Sequence, residues 1–495
     1  MNILCGYNVN IDSVYRISGA EISELLSTFE RTEILEKIEN PPGKILSEAD
    51  FAAGLAYCMK NGCGAEWLVF EQAVFEFLKN RYFDKSLVRM GGNAGIMANA
   101  LSELGASRVV PNVAVPSKTQ LSLFSEKAVY FPDAHLQTDE KPDAGPGNYI
   151  SSSFSPSSFS NQDPIHFVFD FSEGETFSLY GTEVRAPREN RFIATCDHLN
   201  FRLFTSPAFE SYALKHAGEM DGALISGFHL LLETYPDGST YKEVLDNSFS
   251  RLKAWKAKND KLRVHVEFGH FASREIANAV FLKFAGTSDS IGMNEDELAM
   301  LHNLHGIPAE EILRMEAEAV GMAACKLASR HGLGKLFIHT REFVLAAFKP
   351  NSGNSGGSGI SGESGSSEEP WISGKWEDKE SSSLLKAAEK NLEAIGFGLR
   401  CAGAYAASGK LEGREFVEKE ASKLQESLFG RQQVRLFLEA FGGEPCGQGA
   451  FALMEGYIIC ILPTLLCKSP LTTVGLGDTL TAGTFLRGLE LDVQA

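Results

Sequence analysis

The stretch TTVGLGDTLTAG, Thr472–Gly483, lies near the C-terminus, behind an apolar segment at Tyr457–Pro463 and ahead of small, helix-compatible residues. Gly475 and Gly477 permit a tight turn that exposes backbone N–H groups, and Asp478 follows at the expected start of a helix. Amides at a helix N-terminus form an anion site. A carboxylate beside such a site can take the proton of a hydroxyl that attacks a phosphate. The plainer alternative is a glycine turn with Asp478 as an N-cap. A strand, a glycine turn and a helix in that order belong to an α/β fold.

The bulk composition limits what surrounds this loop. A chain of 495 residues implies two domains, or one large domain with a lid. With 44% hydrophobic and 22% charged residues it has a globular composition. A net charge of −18 speaks against nucleic-acid and anionic-membrane partners, and an anionic substrate then needs local positive charge. The start, MNILCGYNVNID, has no basic region and reads as a first strand, so no signal peptide is expected. No apolar run approaches a membrane span. The nine cysteines form no CxxC pair, which points to reduced thiols in a cytoplasmic protein.

In chain order, Asn2–Tyr7 reads as a buried strand running into Asn8-Val9-Asn10-Ile11-Asp12, polar residues where open α/β sheets bind ligands; an Asx turn is the alternative. Helical patterns follow at Glu21–Glu36, Ser47–Asn61 and Glu71–Asn80, with Glu66 isolated in GCGAEWLVF. Arg89-Met90-Gly91-Gly92-Asn93 opens a helix to about Gly105, and Ser107–Val115 is the next strand. Residues 117–210 read as a strand-rich second domain, with a Ser/Phe-rich run at Ser151–Gln162. It carries His166 on the alternating strand Ile165–Phe171, and Arg188, Arg191 and Arg202, residues suited to phosphate or to surface ion pairs.

The alternation then resumes. Ala223–Phe228, Leu262–Phe268, Ser288–Met293, Lys335–His339 and Phe343–Phe348 read as strands, with helices at Ser239–Ala257 and Ala309–His331. Period two puts His265 and Glu267 on one face. Asn294 and Glu297, three apart, share a helix face and carry oxygen ligands suited to Mg²⁺; an acid-rich helix start is the alternative. Asn351–Ser367 is mainly serine and glycine, the composition of a flexible insertion. Helices at Ser382–Ala407 and Glu415–Leu438 precede the Tyr457 strand.

Asp12, Asn93, Glu267, Asn294–Glu297, His339 and Asp478 all fall where strands end, and in a parallel sheet such ends line one crevice. An anion hole, a base, paired acids and arginines suit phosphoryl transfer. There is no GxxxxGK[ST] and no protein-kinase signature. The ordered motifs NVNID, GAEW, RMGGNAGIMAN, APRENRFI, HVE, NEDE, HT and TTVGLGDT resemble the archaeal ADP-dependent phosphofructokinase/glucokinase family of the ribokinase-like superfamily, from residue 2 to about 488.

The resemblance implies an α/β fold: a ribokinase-like, Rossmann-type α/β/α large domain (1–14, 88–118 and 210–495) and a smaller α+β lid (15–87 and 119–209). It implies transfer of the β-phosphate of ADP to a sugar. Asp478 is then the base, Gly475 and Gly477 the anion hole, and Arg191 the lid arginine on the moving phosphate. Glu267 and Glu297, with Asp478 beside them, hold Mg²⁺ mainly through waters. Asn294, His339, Thr340 and Gly477 meet the nucleotide, and Asn10, Asp12, Glu66, Gly92, Asn93 and His166 meet the sugar. Glu66 matches the acid of glucose-accepting members. Arg202 and Asn93 lean toward fructose 6-phosphate, and His166 stands where phosphofructokinases carry a lysine. The expectation is an ADP-dependent 6-phosphofructokinase, monomeric, with glucose as a second possible acceptor. A glucokinase and a non-catalytic sugar-binding protein are the alternatives.

Overall fold

The computed structural model describes residues 1–132, 162–235, 237–350 and 378–494. The Ser/Gly-rich stretch 351–367 and residues 151–161 of the Ser/Phe-rich run lie outside them. The larger of two main sheets has ten strands. Six are parallel neighbours, in the order Lys335–His339, Ser290–Met293, Arg263–Glu267, Gly222–Ile225, Asn2–Gly6 and Arg108–Pro111. Phe343–Phe348 then pairs antiparallel with Lys335–His339, and Tyr457–Pro463 antiparallel with Phe343–Phe348. Two reversals restore direction, so Tyr457–Pro463 ends on the same edge as the parallel strands.

Both faces of this sheet are covered, which is why its strands read as continuous apolar runs. Ile3 and Cys5 pack with Leu101, Ala482 and Leu486 on one face. Leu4, between them, packs with Val264, Val266, Leu252 and Ile276 on the other. The parity that sends Val264 and Val266 one way sends His265 and Glu267 toward the C-terminal helix, Leu476–Gln494. Gly292 pairs in register with Glu267, and a Cβ at 292 would overlap Glu267 Oε2 and lie 2.8 Å from His265 Nε2. The glycine leaves room for both side chains.

The second sheet has six strands, in the order Lys44–Ile45, Ala65–Val69, Asn190–Cys196, Ile165–Phe171, Asn10–Arg16 and Leu87–Gly91. Ile11, Trp67, Phe167, Phe169, Phe192 and Ala194 pack beneath the helices Gly19–Ser27, Glu48–Asn61 and Gln72–Tyr82. Alternate residues of the same strands form a polar face. Asp12 is the register partner of His166, His166 of Thr195, and Ile193 of Glu66. The boundaries expected at 14 and 88 fall inside the strands Asn10–Arg16 and Leu87–Gly91, both of which belong to this smaller sheet. Phe124 and Phe209, placed by sequence in the lid, pack in cores of the large sheet.

Three expected helices are each two. Glu21–Glu36 is Gly19–Ser27 and Arg31–Glu39, interrupted where Thr28 Oγ1 bonds Leu25 O. Ala309–His331 breaks at Arg314–Glu316, where Met315 takes a φ of 56°. Glu415–Leu438 is Arg414–Ala421 and Leu428–Phe441, because Gln425–Glu426 pairs with Leu465–Leu466 and Ser427 caps the second helix. Among the described residues no helix is long and apolar enough to cross a membrane, and all nine cysteines are free thiols.

Gly292→Ala and Gly488→Ala should act in opposite directions in chemical denaturation. At 292 the added methyl meets a carboxylate locked in place, and stability falls by about 2 kcal/mol. At 488, mid-helix with no atom within 4 Å of the new Cβ, stability rises by up to about 1 kcal/mol.

Candidate active site

The helix Leu476–Gln494 begins two residues before Asp478, which lies in its first turn. Gly475 has a φ of 76°, and a Cβ there would press on Ile96 at 3.0 Å. At Gly477 a Cβ would lie 3.2 Å from His339 Cε1. The first glycine serves the turn and the second lets His339 approach. Asp478 is buried, and Asn93 Nδ2 donates to its Oδ1 at 2.7 Å. Asn93 is oriented in turn by Asn8 Nδ2, which donates to Asn93 Oδ1 at 3.2 Å, while Ser226 Oγ donates to Asn8 Oδ1 at 3.0 Å. Burial pushes the Asp478 carboxyl up to about 7; the Asn93 bond opposes this, the Glu267 charge adds to it, and the His339 charge opposes it. A carboxyl in that range suits a general base near neutral pH.

Glu267 is buried across from this loop. Its Oε2 meets His265 Nε2 at 2.7 Å and accepts from Thr481 Oγ1 at 3.2 Å, and its Oε1 meets His339 Nε2 at 2.7 Å. Burial alone would raise its pKa, but the His339 charge and the two histidine hydrogen bonds hold it at about 2. Burial works against the charge on His339 as well, and Glu267 overcomes it, raising His339 to about 9. At neutral pH the pair is a carboxylate and an imidazolium. Glu297 and Asn294 form a capping box on the helix Glu295–Met300, with Asn294 Oδ1 accepting from Glu297 N and Asn294 Nδ2 donating to Glu297 Oε1 at 3.1 Å. Desolvation lifts Glu297 to about 7.

Thr340, an expected nucleotide contact, closes its own turn: its hydroxyl donates to Phe343 O and accepts from the N–H groups of Glu342 and Phe343. Among the described residues no three His, Cys, Asp or Glu side chains converge as a metal cluster, so Asp478, Glu267 and Glu297 do not form a direct three-ligand set.

The residues expected to meet a sugar gather on the polar face of the smaller sheet. Asn10 Nδ2 donates to Asp12 Oδ1 at 2.9 Å, and Arg89 Nε lies 3.6 Å from Asp12 Oδ2. A Cβ at Gly91 would overlap both side chains, and one at Gly92 would lie 2.7 Å from Asn10 Oδ1, so the glycine pair admits them. His166 Nε2 lies 3.1 Å from Asp197 Oδ2 and its Nδ1 3.7 Å from Glu66 Oε1. Burial disfavours the imidazolium, yet the Asp197 hydrogen bond and the charges of Glu66, Asp197 and Asp12 raise His166 to about 9. It is therefore held toward its cationic form by the surrounding carboxylates. Thr195 Oγ1 donates to Glu66 Oε1 at 2.6 Å.

Two arginines are already engaged. Arg191 lies on the same face, paired with Asp170 at 3.4 Å and without a hydrogen bond or ion pair to the Asp478 loop. Arg202 pairs with Asp237 at 3.0 Å, donates to Ser239 Oγ and lies 4.0 Å over the Tyr235 ring. Motif reading passed over Asn8, Thr195, Asp197, Gly292 and Thr481, which orient or admit the named residues. It also passed over His229, on the turn after the strand Gly222–Ile225; burial lowers its pKa to about 4, with Glu66 and His166 next among the groups it senses. Of these, Asn8 opens NVNID and Thr481 lies within TTVGLGDTLTAG, so both stood in quoted motifs without a role assigned.

The conserved region of ADP-specific phosphofructokinases and glucokinases matches residues 1–361 and 380–487. The chain is similar to an ADP-specific phosphofructokinase of Pyrococcus abyssi, 24% identical over 501 residues covering 98% of this chain and 97% of that protein. An ADP-dependent glucose/glucosamine kinase of Pyrococcus furiosus is 26% identical over 489 residues, 98% of this chain and 93% of that one. A phosphofructokinase from Pyrococcus horikoshii, crystallised with AMP, superposes with a TM-score of 0.77 at 23% identity, covering 100% and 99% of the two chains. An ADP-dependent kinase in complex with fructose 6-phosphate and ADPβS gives 0.69 at 22% identity, covering 99% and 93%. These likenesses identify the fold as ribokinase-like, and the match along nearly the whole chain places it in the ADP-specific phosphofructokinase/glucokinase family.

Proposed function

We propose that this member of the family is an ADP-dependent 6-phosphofructokinase, making fructose 1,6-bisphosphate and AMP from fructose 6-phosphate and ADP. The observation that carries the reading is Asp478: buried, oriented by Asn93, titrating near neutrality, and set in the first turn of a helix behind two glycines. The sugar's 1-hydroxyl oxygen attacks the β-phosphorus while Asp478 takes its proton. The bond from the β-phosphorus to the bridging oxygen breaks, and AMP leaves. Amides at the start of the Leu476–Gln494 helix face the charge on the moving phosphoryl group. Arg191 reaches that charge when the smaller sheet closes over the cleft, exchanging Asp170 for phosphate.

The acids fit a divalent cation held through water. Glu267 and Glu297 are buried, and the Glu267 charge adds to the desolvation that raises Glu297, a penalty that a cation relieves. Bound there, Mg²⁺ would neutralise phosphate charge. On the sugar side, Arg202 is pre-oriented by Asp237 and Tyr235 for a 6-phosphate, with cationic His166 on the polar face. Glucose phosphorylation is the second reading, favoured by Glu66, a half-exposed carboxylate that Thr195 and His166 aim at the same face.

Assays crossing ADP or ATP with fructose 6-phosphate or glucose test the assignment. Turnover is expected with ADP and fructose 6-phosphate, and its absence would overturn the reading. Asp478→Asn should lower kcat by about 10²- to 10⁴-fold. In the wild type, kcat at saturation should fall as pH drops through about 7, because protonated Asp478 cannot accept a proton. Asn93→Ala removes a bond that favours the carboxylate, so that limb should move to higher pH. Arg202→Ala should raise KM for fructose 6-phosphate about tenfold or more and leave KM for ADP unchanged.

A further inference from the structure

A cavity of about 420 Å³ lies at the opposite edge of the large sheet from Asp478. It opens where the parallel strands begin, at Arg263, Ser290 and Lys335, under the helices Asp378–Ser408 and Leu476–Gln494. From Lys335 to His339 is four strand residues, about 13 Å, so the cavity is separate from the catalytic cleft. The two helices touch closely where Gly398 faces Thr484 and Gly483 faces Cys401. Toward the cavity they part, bridged by Lys390 and Asp492 at 2.6 Å. Gly488 faces this space with nothing within 4 Å of an added Cβ. A mid-helix glycine costs about 1 kcal/mol relative to alanine, and here it keeps the cavity open.

The walls define a ligand chemistry. Among the described residues the lining carries four cations, Arg263, Lys335, Lys349 and Lys390, against two anions, Asp289 and Asp492, a local positive excess in a chain of net charge −18. Lys335 donates to the neutral Asn391 Oδ1 at 2.9 Å, and among the described residues no carboxylate lies within ion-pair distance of it. Burial pulls its pKa down to about 8, a cost that an anion would relieve. Phe337, Phe348 and Phe485 supply flat apolar wall. The volume is that of a small-molecule site. The inner end shares two residues with the catalytic edge: His265 bonds Ser290 Oγ through Nδ1 and Glu267 through Nε2, and Thr481 lines the cavity while donating to Glu267.

We propose that this cavity is a second ligand site for a small aromatic anion, and that its occupancy is felt at Glu267 through His265 and Thr481. Such an anion is a nucleoside phosphate or an aromatic carboxylate. The coupling is short and physical: one imidazole and one hydroxyl fix a buried carboxylate on one side and line the cavity on the other.

The test titrates the full-length protein with 1-anilinonaphthalene-8-sulfonate, an aromatic sulfonate, reading fluorescence so that binding is scored independently of phosphoryl transfer. Saturable binding is expected, weakened at least tenfold by Lys335→Gln and by Gly488→Phe, which fills the cavity from open space. Displacement by uridine 5′-monophosphate assigns a nucleoside phosphate, and displacement by indole-3-acetate an aromatic carboxylate. Displacement by neither, or equal affinity in both variants, overturns the site. At saturation the probe should change kcat or KM for ADP at least twofold in the wild type and not in Gly488→Phe. Binding without that change overturns the coupling.

Discussion

The sheet edge that faces Asp478 depends on one carboxylate buried between two imidazoles. Desolvating a charged carboxylate costs several kcal/mol unless its partners are close and well aligned. Glu267 obtains those partners from three elements: His265 on its own strand, His339 on the next strand but one, across Gly292, and Thr481 on the C-terminal helix. The same contacts fix the sheet against that helix and bring His339 against Gly477, beside Asp478. Gly292 makes the arrangement possible by contributing no side chain. The charge on Glu267 also reaches Asp478 and Glu297, raising both. That charge therefore adds to burial, which is the main cause of the raised range of both acids.

What was legible in the sequence was what local chemistry encodes. Tyr457–Pro463, Phe343–Phe348 and Ile165–Phe171 have the limits their apolar patterns suggest, because turn residues bound each run. The broken helices were not legible, since the interruption near Leu424 is made by a strand pair with Leu465–Leu466, which no local pattern announces. NVNID reads equally well as the end of one strand or the start of the next, and only pairing with Leu87–Gly91 assigns it to the smaller sheet. At the site, acids and glycines were visible by type and spacing. Their partners were not, because contacts such as Asn93 with Asp478 join residues 385 positions apart. Arg202 shows the same limit: its residue type suited phosphate or an ion pair alike, and only the fold brings Asp237, Ser239 and Tyr235 to it.

The two sheets solve different electrostatic problems. The smaller sheet hides one face under helices and carries Asp12, Glu66, Arg191 and His166 on the other. The large sheet hides both faces, so its chemistry is confined to the strand ends and to His265 and Glu267, the polar pair in its interior. In an acidic chain, cationic groups for phosphate must be made locally. His339 and His166 are made cationic at neutral pH by adjacent carboxylates, while Arg191 and Arg202 are cations already and are held by Asp170 and Asp237.

The reversal of direction at Phe343–Phe348 has a consequence for how this chain can vary in length. Running against its neighbour, the strand delivers Lys349 and Pro350 to the edge away from Asp478, and Tyr457–Pro463 carries the chain back before the glycine turn. Residues added between Pro350 and the helix Asp378–Ser408, whose Ser383 lines the same cavity as Pro350, enter and leave on the side away from Asp478. The chain can lengthen there without altering the register of any strand that carries a reacting group, which makes this junction a natural place to graft a tag or a domain.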